Sequence, residues 1–483
     1  MRNDQIFTPA PIVSKMLDDV GYLGENIKSQ TIFEPSFGGG AFLIQIVDRI
    51  LVYANSKHFN NEQIIALLDN VYGVEIDRKW YDYTIKQLNQ KLHEHNLHYN
   101  WPNLICGDTT KLNYQNQFDI TIGNPPYIKC WDLSLDERKH IEDNFTFCHG
   151  NTDLYIIFFE LGLNALKENG KLCYITPNSF MRNSSQCELR KYLTEKRYLQ
   201  SITDYGTVSV FDKIATYTAI TLLNKSGNVK KTKYTMMESI DKKCYETDVD
   251  IAKLGEKPWA FPNKNDEKFL EKISKRKVKL DDLCDIQYGL ATNADKVYIL
   301  DETTAETIEP EILRGVVKGS TLSSEQRIIF PYTFDNETNK HALIAEETLR
   351  TRYPNAYNHL LQNKQKLEAR DIEKGAAWYQ YGRSQGIHNS RHEKIVLKHI
   401  VSAEDTTCSI TLADTNTLVY SGIFIVVKDE SDTADVMRAL TSEEFCRYVK
   451  LVGKNMSGGY KSFNTKIVKS FGIERRKIDY EKG

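Results

Sequence analysis

The stretch Phe118-Asp119-Ile120-Thr121-Ile122-Gly123-Asn124-Pro125-Pro126-Tyr127 decides how this chain can fold, because an apolar strand runs directly into two prolines. The alternating and then wholly apolar run indicates a buried strand, and proline lacks the amide hydrogen that would let the strand continue. The strand must therefore stop at Asn124. A buried strand ending in polar groups is typical of α/β folds, which bind ligands at the carboxyl ends of strands.

The residues after this strand can bind a planar amine. The side-chain oxygen of Asn124 and the carbonyl oxygen of Pro125 are both acceptors, and the fixed φ of proline lets them converge on one point. An exocyclic NH2 group offers two hydrogens, and if both are held its lone pair leaves ring conjugation and becomes nucleophilic. Tyr127 can cover the ring face, as in enzymes that extrude a base in order to react with it. The alternative is that Pro-Pro-Tyr only makes a rigid turn.

A glycine-rich turn follows an earlier strand. Thr31-Ile32-Phe33-Glu34-Pro35-Ser36-Phe37-Gly38-Gly39-Gly40 leads into an apolar helix, Ala41 to Val52. Glycines let backbone amides approach a ligand closely, and a helix N-terminus presents free N–H groups. Leu43 stands where the dinucleotide fingerprint has its third glycine, so a phosphate site is not implied. The alternative is a plain βα turn of another α/β enzyme.

Two further strands end in carboxylates. They are Asn70–Asp77, after the helix that follows the glycine turn, and Asn103–Asp108, one helix later. An acid at the end of the second strand can take both ribose hydroxyls in nucleotide-binding folds. Asp77 is assigned to capping the next helix, and capping is the competing role for Asp108. Together with the strand before Asn124, these units predict a parallel, doubly wound Rossmann-like sheet in an α/β fold.

The regions flanking these strands are less regular. Phe7-Thr8-Pro9 precedes a helical pattern of apolar residues from Ile12 to Val20, with Thr8 predicted as the N-cap and Pro9 in the first turn. Residues 128–151 hold mixed charge without a sustained period, which indicates a mobile loop that can close over a substrate.

Length and composition restrict the class of protein. A chain of 483 residues is too long for one ordinary core, so two or three domains are expected. Its 41% hydrophobic and 27% charged residues are typical of soluble globular proteins, and the net charge of −2 gives no overall nucleic-acid signature. Nine cysteines without metal spacing indicate reduced thiols, and no stretch reads as a membrane span or targeting segment. A cytoplasmic enzyme without a metal is expected.

Asn124 to Tyr127 resembles motif IV of the N6-adenine methyltransferases, which move a methyl group from S-adenosylmethionine to an amine of a nucleic acid base. Phe7-Thr8-Pro9 resembles motif X, the glycine turn resembles motif I, and the two acidic strand ends resemble motifs II and III. The motif order X, I to III, IV and VIII, followed by a long further region, resembles the gamma class of DNA adenine methyltransferases, of the TaqI type. The specific motifs cover residues 7 to about 225.

The resemblance implies a role for each motif residue. The target adenine is expected between Tyr127 and the motif VIII residue Phe211, with its amine on Asn124 and Pro125. Glu34 is expected to face the ammonium group of S-adenosylmethionine or its bound water, and Glu75 its ribose. The full set of implied cofactor residues is Thr8, Pro9, Glu34, Gly38, Gly40, Glu75, Ile76, Asp108 and Phe158.

The second half is predicted to read the substrate. Residues 1–230 are assigned to the catalytic domain, residues 231–275 to a polar linker, and residues 276–483 to a mixed α+β target recognition domain. Gln287 to Tyr298 resembles the entry of that domain in the family. Trp378 to Arg383 interleaves aromatic and basic side chains that can hold bases and phosphates, and further basic residues follow at Arg391, Lys394 and Lys398.

A basic segment lies near the end of the sequence. Arg447 to Phe471 carries six Lys or Arg residues and neither Asp nor Glu. Its centre, Lys454 to Phe463, resembles the C-terminal recognition motif of the family, and Gly458-Gly459 argues against the alternative of a solvated helix face. The predicted DNA-binding residues are Arg383, Lys454, Tyr460 and Lys461.

These features predict a site-specific DNA adenine N6-methyltransferase that acts as a monomer on double-stranded DNA, with a cognate restriction endonuclease acting separately. A methyltransferase for RNA or for protein glutamine shares the cofactor motifs but leaves the second half without a purpose. A fused nuclease is not expected, because motif X begins at residue 7 and leaves no room upstream. A non-catalytic binding subunit is the remaining alternative, and the intact stretch Asn124 to Tyr127 argues against it.

Overall fold

The first half of the chain is built on one large sheet, and the second half on several small ones. The computed structural model describes residues 7–148, 152–211, 217–335, 337–338, 340–372, 375–383, 386–387, 390–456 and 460–474. The chain divides into two compact units between Asn263 and Lys264.

The sheet of the first unit has nine described strands. In chain order they are β1 (Ile32–Glu34), β2 (Val71–Glu75), β3 (Leu104–Cys106), β4 (Phe118–Gly123), β5 (Leu166–Pro177), β6 (Leu199–Asp204), β7 (Thr218–Asn224), β8 (Lys231–Met237) and β9 (Lys243–Asp250). The helices between them are α1 (Ala10–Val20), α2 (Ala41–Ser56), α3 (Asn61–Leu68), α4 (Arg78–His93), α5 (Leu135–Asn144), α6 (Leu154–Ala165) and α7 (Cys187–Glu195).

The strand order is β3-β2-β1-β4-β5-β7-β6-β8-β9. Ile32 of β1 pairs in parallel with Val71 of β2 on one side and with Ile120 of β4 on the other, so the order reverses at β1. Ligands of open α/β sheets bind at such a reversal, beyond the carboxyl ends of the strands. The glycine turn follows β1 and Asn124 follows β4, so both lie at this reversal. The parallel pairing and the reversed strand order confirm the predicted doubly wound fold.

Helices cover both faces of the sheet. Cys173 and Ile175 of β5 belong to a core with α1, α2 and α4, whereas Leu172 and Tyr174 belong to a core with α6 and α7. Successive strand residues point to opposite faces, so the two cores lie on opposite sides of the sheet. Burial on both faces explains why β5 is continuously apolar from Leu172 to Ile175 and why β7 is buried along nearly its whole length.

The prediction of an irregular loop over residues 128–151 is wrong for the ten residues of α5. This helix begins with a reciprocal capping box, in which the Ser134 hydroxyl accepts from the Glu137 amide and the Glu137 carboxylate accepts from the Ser134 amide. Ile141 is its one buried residue, so the apolar period that would indicate a helix is nearly absent. Local capping therefore specifies a helix that hydrophobic patterning does not show.

The predicted linker over residues 231–275 is also wrong for most of its length. Its first part forms β8 and β9 of the main sheet, and Trp259 and Phe261 are buried in the core of the first unit. The buried guanidinium of Arg190 donates to the carbonyl oxygens of Glu256 and Lys257, at 2.7 to 3.1 Å. Tertiary packing therefore extends the first unit to Asn263.

The second unit combines short strands with short helices, as the predicted α+β class requires. Its strands are β10 (Val278–Lys279), β11 (Cys284–Tyr288), β12 (Ile299–Leu300), β13 (Leu313–Lys318), β14 (Ser323–Ile329), β15 (Tyr332–Asp335), β16 (Lys340–Leu343), β17 (Lys394–Leu397), β18 (Ile400–Val401), β19 (Ile410–Ala413), β20 (Thr417–Tyr420), β21 (Ile423–Val427), β22 (Lys454–Asn455), β23 (Lys461–Ser462) and β24 (Gly472–Ile473). Its helices are α8 (Lys264–Lys275), α9 (Leu280–Leu283), α10 (Asp295–Tyr298), α11 (Glu302–Ala305), α12 (Glu346–Arg352), α13 (Pro354–Gln362), α14 (Lys364–Glu368), α15 (Thr433–Leu440), α16 (Glu443–Val452) and α17 (Thr465–Lys469).

Two four-stranded sheets form the centre of the second unit, with the orders β11-β21-β17-β19 and β12-β14-β13-β20. Apolar residues of α10 to α14 pack with the sheet that contains β13, whereas those of α8, α9 and α15 to α17 pack with the sheet that contains β21. None of the helices in the described ranges is long and apolar enough to cross a bilayer.

Candidate functional site

The glycine turn after β1 has a backbone that only glycine adopts without strain. Gly38 and Gly40 have φ values of 50° and 79°, in the left-handed region. A Cβ atom on Gly40 would lie 2.5 Å from the Thr84 methyl group, and the Thr84 hydroxyl donates to the Gly38 carbonyl at 2.8 Å. The turn therefore brings the N-terminus of α2 to the carboxyl edge of the sheet, where its free amides can meet a ligand.

The carboxylate of Glu75 holds this turn in place. Its Oε2 accepts from the Gly38 amide at 2.7 Å, and its Oε1 accepts from the Asp77 amide at 2.8 Å. Burial raises the pKa of Glu75, and the two backbone donors oppose that rise. Asp77 caps α4 through the Lys79 amide at 2.8 Å, as predicted. The ribose-binding role of Glu75 stays a prediction, and it requires hydroxyls to share oxygens that already accept from the backbone.

Glu34 is a nearly enclosed acid at the end of β1. Its side chain is 2% exposed, and its Oε2 has no hydrogen-bond partner among the described residues. Burial raises its pKa well above the usual range and the neighbouring Glu75 raises it further, while the Leu43 amide at the start of α2 lowers it. A buried acceptor without a donor is costly, so this oxygen is suited to a cationic or hydrogen-bonding ligand.

The other predicted adenine-side residues occupy the ends of β2 and β3. Ile76 is 59% exposed, which leaves an apolar surface for a planar ring. Asp108 caps a short 3-10 turn, Thr109–Lys111, by accepting from the Thr110 amide at 3.0 Å and the Thr110 hydroxyl at 2.7 Å. The competing capping role of Asp108 is therefore present, and its predicted contact with an adenine amine stays a prediction.

The prediction that Thr8 caps α1 is wrong. Pro9 occupies the N-cap position, and the helix begins at Ala10. The buried Thr8 hydroxyl instead accepts a hydrogen bond from Nδ2 of Asn124 at 3.2 Å. The restricted φ of Pro9 starts the helix without a side-chain cap, which leaves this hydroxyl available for a tertiary contact.

Asn124 lies directly after β4, where the prolines end the strand as predicted. Its side chain is half-buried, and its Oδ1 is buried without a hydrogen-bond partner among the described residues. Pro125 is buried beside it. At the carboxyl edge of the sheet, the Nδ2 group of Asn124 therefore has a hydrogen-bond partner, whereas its Oδ1 atom has none among the described residues.

The two rings predicted to enclose a base touch each other. Tyr127 donates from its hydroxyl to the Ile175 carbonyl at 3.1 Å, and its ring centroid is 6.5 Å from that of Phe211 at an interplanar angle of 65°. Phe211 is 3% exposed. A base between two faces needs parallel rings about 7 Å apart, so Phe211 must turn or move before a base can enter. Residues 212–216, which directly follow Phe211, lie outside the described residues.

Phe158 is buried in the core between α6 and the sheet. Packing in the core is compatible with the contact to the cofactor that the family resemblance implies. The structure provides the packing role, and the cofactor contact stays a prediction.

Sequence reasoning missed Asp204 at the end of β6. This buried carboxylate accepts from the Asn178 amide at 2.8 Å, the Gly206 backbone amide at 2.9 Å and the Tyr234 hydroxyl at 2.8 Å. It therefore anchors the turn that leads to Phe211. The presence of an acid at the end of a strand could have revealed it, since Asp108 likewise follows β3 closely.

In the second unit, the two segments singled out for DNA binding lie next to each other. A cavity of about 310 Å³ is lined by Gln287 and Tyr288 from β11 and by Thr465, Lys466 and Lys469 from α17, with Ile286. The first group belongs to the predicted domain entry, and the second to the predicted basic segment. An open cavity with two lysines and a tyrosine can hold a phosphate and a sugar or base.

The four predicted DNA-binding residues are accessible to different degrees. Arg383 and Lys454 are exposed, Tyr460 is 46% exposed, and Lys461 is half-buried. Lys454 pairs with Ser462, and the next pair along the hairpin is Asn455 with Lys461. Successive pairs alternate between faces, so Lys454 and Lys461 leave opposite faces of the hairpin. The predicted glycine break at residues 458–459 lies outside the described residues.

Three residues of the predicted aromatic and basic surface are buried instead. Tyr379 and Tyr381 donate to the carbonyls of Ile344 and Ile329 inside the core. Lys394 donates to the carbonyls of Ser390 and Asp414, and burial lowers its pKa to about 8. These polar side chains satisfy buried backbone acceptors, so that part of the surface prediction is wrong.

Residues 43–211 match the family described as Eco57I restriction-modification methylase. The chain is 28% identical over 363 residues to the Type II methyltransferase M.BstVI of Geobacillus stearothermophilus, covering 66% of this chain and 64% of that protein. It is 24% identical over 360 residues to the Type II methyltransferase M.PaeR7I of Pseudomonas aeruginosa, covering 68% and 62%. The match thus spans less than two thirds of each relative.

Among solved structures, the Type IIL restriction-modification enzyme MmeI in complex with DNA has a similar fold. The TM-score is 0.62 at 12% identity, over 95% of this chain and 65% of that one. This likeness confirms the predicted fold class. The match of residues 43–211 to a restriction-modification methylase family agrees with the resemblance seen in the sequence motifs.

Proposed function

We propose, on the premise that residues 43–211 are a methylase segment of the Eco57I restriction-modification type, that this protein transfers a methyl group from S-adenosylmethionine to the N6 amine of adenine in DNA. The observation that carries this proposal is the open Oδ1 of Asn124, a buried acceptor without a partner among the described residues. Asn124 directly follows β4, which pairs with β1 at the reversal of strand order, and the glycine turn follows β1.

The residues at this edge fit S-adenosylmethionine. The open Oε2 of Glu34 suits the cationic amino acid end, and the exposed side chain of Ile76 suits the adenine ring. The glycine turn allows close approach of backbone amides from Gly38 to the start of α2. When bound there, S-adenosylmethionine supplies an electrophilic methyl group on a sulfonium.

Catalysis in this proposal consists mainly of positioning. Asn124 Oδ1 and the Pro125 carbonyl accept the two amine hydrogens, which draws the nitrogen lone pair out of the adenine ring and aims it at the methyl carbon. Tyr127 covers the ring face, with its hydroxyl tied to Ile175. A cysteine nucleophile is not required, because the amine itself attacks.

Double-stranded DNA is the proposed partner of the second unit. The cavity between β11 and α17 supports this proposal, because its lysines can meet phosphates. The two relatives are named as Type II methyltransferases, and the structure of MmeI was solved with DNA. We further propose a monomer that acts in the cytoplasm, with a cognate restriction endonuclease as a separate protein.

The decisive test is transfer of a labelled methyl group from S-adenosylmethionine to unmethylated genomic DNA, with RNA and total protein as parallel acceptors. We expect the label in N6-methyladenine of DNA after base analysis, and sequencing of the product would then give the recognition site. Label in RNA or in protein glutamine alone would contradict the proposal, although the same cofactor fold would account for it.

A further inference from the structure

The orientation of the Asn124 amide decides whether this residue can polarise an amine. A side-chain amide has a donor end and an acceptor end of nearly equal shape, and rotation by half a turn exchanges them. In the observed orientation Nδ2 is bonded to Thr8, and Oδ1 has no hydrogen-bond partner among the described residues, so it remains available to a substrate amine. In the other orientation an NH2 group would face the NH2 group of the substrate, and neither could accept.

Contacts of its two neighbours in the chain hold Thr8 in place. Just before it, the Phe7 ring packs against the backbone of Gly39, where a Cβ atom would lie within van der Waals overlap of the ring, and it meets Trp80 edge to face at 5.4 Å. Just after it, the Pro9 carbonyl accepts from the amides of Ile12 and Val13 at 3.0 and 3.1 Å. Thr8, between these two anchors, is 6% exposed, so water has little access to this residue.

The Thr8 hydroxyl does not cap a helix in this structure. A threonine before a helix usually caps it, but α1 takes Pro9 at the cap position. The hydroxyl is therefore available to Asn124, which is 116 residues away in the chain. Through Phe7 and Gly39, the same short segment contacts the glycine turn.

We infer that Thr8 is a positioning residue: its hydroxyl oxygen holds Nδ2 of Asn124, so that Oδ1 faces the substrate amine. This inference rests on the proposed function, because the reaction is what requires an open Oδ1. Phe7, Thr8 and Pro9 thereby connect the glycine turn to the amide that polarises the substrate.

The test compares Thr8→Val, which keeps the shape but removes the hydroxyl, with Thr8→Ser, which keeps the hydroxyl. Loss of the fixed amide orientation should lower kcat of Thr8→Val on the order of 10- to 100-fold, the scale of a misplaced catalytic group. KM for DNA and the Kd for S-adenosylhomocysteine, measured by calorimetry, should change less than about 3-fold, and Thr8→Ser should recover most of kcat. Unchanged turnover in Thr8→Val, or equal loss in both variants together with loss of S-adenosylhomocysteine binding, would overturn the inference.

A second readout needs no substrate and so separates this inference from the proposed function. In protein labelled with [15N]asparagine, the Asn124 side-chain NH2 signal is the one missing from Asn124→Ala. Thr8→Val should shift this signal, and Thr8→Ser should leave it close to its original position. A signal that does not move in Thr8→Val refutes the role of Thr8 even if the protein methylates DNA. A wild type that methylates neither DNA nor other acceptors, with the shift present, refutes the proposed function instead.

Discussion

At the scale of single residues, two buried oxygens at the carboxyl edge of the first sheet stand out. Oδ1 of Asn124 and Oε2 of Glu34 are both enclosed and lack a hydrogen-bond partner in the described part of the chain. Each such group costs about 1–3 kcal/mol of folding free energy unless a ligand supplies a partner. We interpret them as acceptors held open for the substrate amine and for the cofactor.

The first prediction concerns Asn124. Asn124→Ala should abolish methyl transfer, because the amine loses an acceptor that acts mainly in the transition state, whereas binding of S-adenosylhomocysteine should persist within about 3-fold. Transfer is measured with labelled S-adenosylmethionine, and binding by calorimetry. Asn113→Ala, at an exposed loop position, is the matched control. Retained turnover in Asn124→Ala would remove Asn124 from the reaction.

The second prediction concerns the pH dependence of stability through Glu34. Its pKa in the folded protein lies well above its usual value of about 4.5, chiefly because it is buried, and Glu75, Tyr174 and the Leu43 amide face it. Its protonated form is therefore favoured by folding, and the stability that this provides is present at low pH. This contribution is lost as the pH rises above about 4.5 toward the raised pKa.

Glu34→Gln mimics the protonated acid, so we expect the Tm of this variant to exceed that of the wild type near neutral pH, with a smaller decline between about pH 5 and pH 8. The measurement is thermal unfolding without cofactor across this range. Glu62→Gln, at an exposed position of α3, should leave the profile unchanged. Parallel profiles for the wild type and Glu34→Gln would contradict the assignment.

At the scale of elements, the glycine turn and the hairpin of β22 and β23 show how backbone geometry limits what side chains can do. In the turn, Thr84 of α4 is bonded to Gly38 and packed against Gly40, so two helices and a strand meet without space for a Cβ atom. In the hairpin, strand pairing sends two lysines to opposite faces.

The third prediction is that Gly40→Ala destabilises the first unit by about 1–3 kcal/mol, because alanine is strained at a positive φ. The clash with the Thr84 methyl group adds to this cost, so Gly40→Ala with Thr84→Ser should recover part of the loss. Denaturant unfolding measures both variants. Equal stability of Gly40→Ala and the wild type would mean that the turn adopts another conformation.

The fourth prediction concerns the slope of log K against log salt for DNA binding. Replacing a lysine that contacts a phosphate should reduce this slope by about one unit. Since Lys454 and Lys461 leave opposite faces of one hairpin, we expect Lys454→Ala and Lys461→Ala to affect the slope unequally. Lys57→Ala, which removes an ion pair with Glu25 in the first unit, is the control. Unchanged slopes in both variants would exclude this hairpin from the DNA interface.

At the scale of the whole molecule, the division of the chain follows the extent of the main sheet. The first unit ends at Asn263 because β8 and β9 extend the sheet, and because Arg190 binds the segment at Glu256 and Lys257. A change of composition near residue 231 therefore does not mark a change of domain.

The fifth prediction compares two truncations. A fragment of residues 1–263 should unfold cooperatively and bind S-adenosylhomocysteine, because it retains the complete sheet with Trp259 and Phe261 in its core. A fragment of residues 1–230 should fail to fold, because it lacks two strands and these rings. Thermal melting followed by circular dichroism measures whether each fragment folds, and calorimetry measures its binding of S-adenosylhomocysteine. A stably folded 1–230 fragment would restore the predicted boundary.

The sequence by itself determined the first four strands of the main sheet, the turns that follow them and the polar residues at their ends. Asn124 before two prolines, the glycines after Glu34 and the acids after the next two strands are local features, and local backbone preferences already specify them. The doubly wound sheet follows from these units, because parallel strands joined by helices have few arrangements. The capping of α4 by Asp77 is predictable for the same reason.

Only the tertiary structure decided which of these groups meet. The Thr8 hydroxyl contacts Asn124 instead of capping α1, Asp204 anchors the turn to Phe211, and Tyr379, Tyr381 and Lys394 are buried instead of exposed. These outcomes depend on contacts between residues far apart in the chain, and on the requirement that each buried polar group find a partner. A sequence pattern shows which residues are available for such contacts, whereas tertiary packing decides which contacts form.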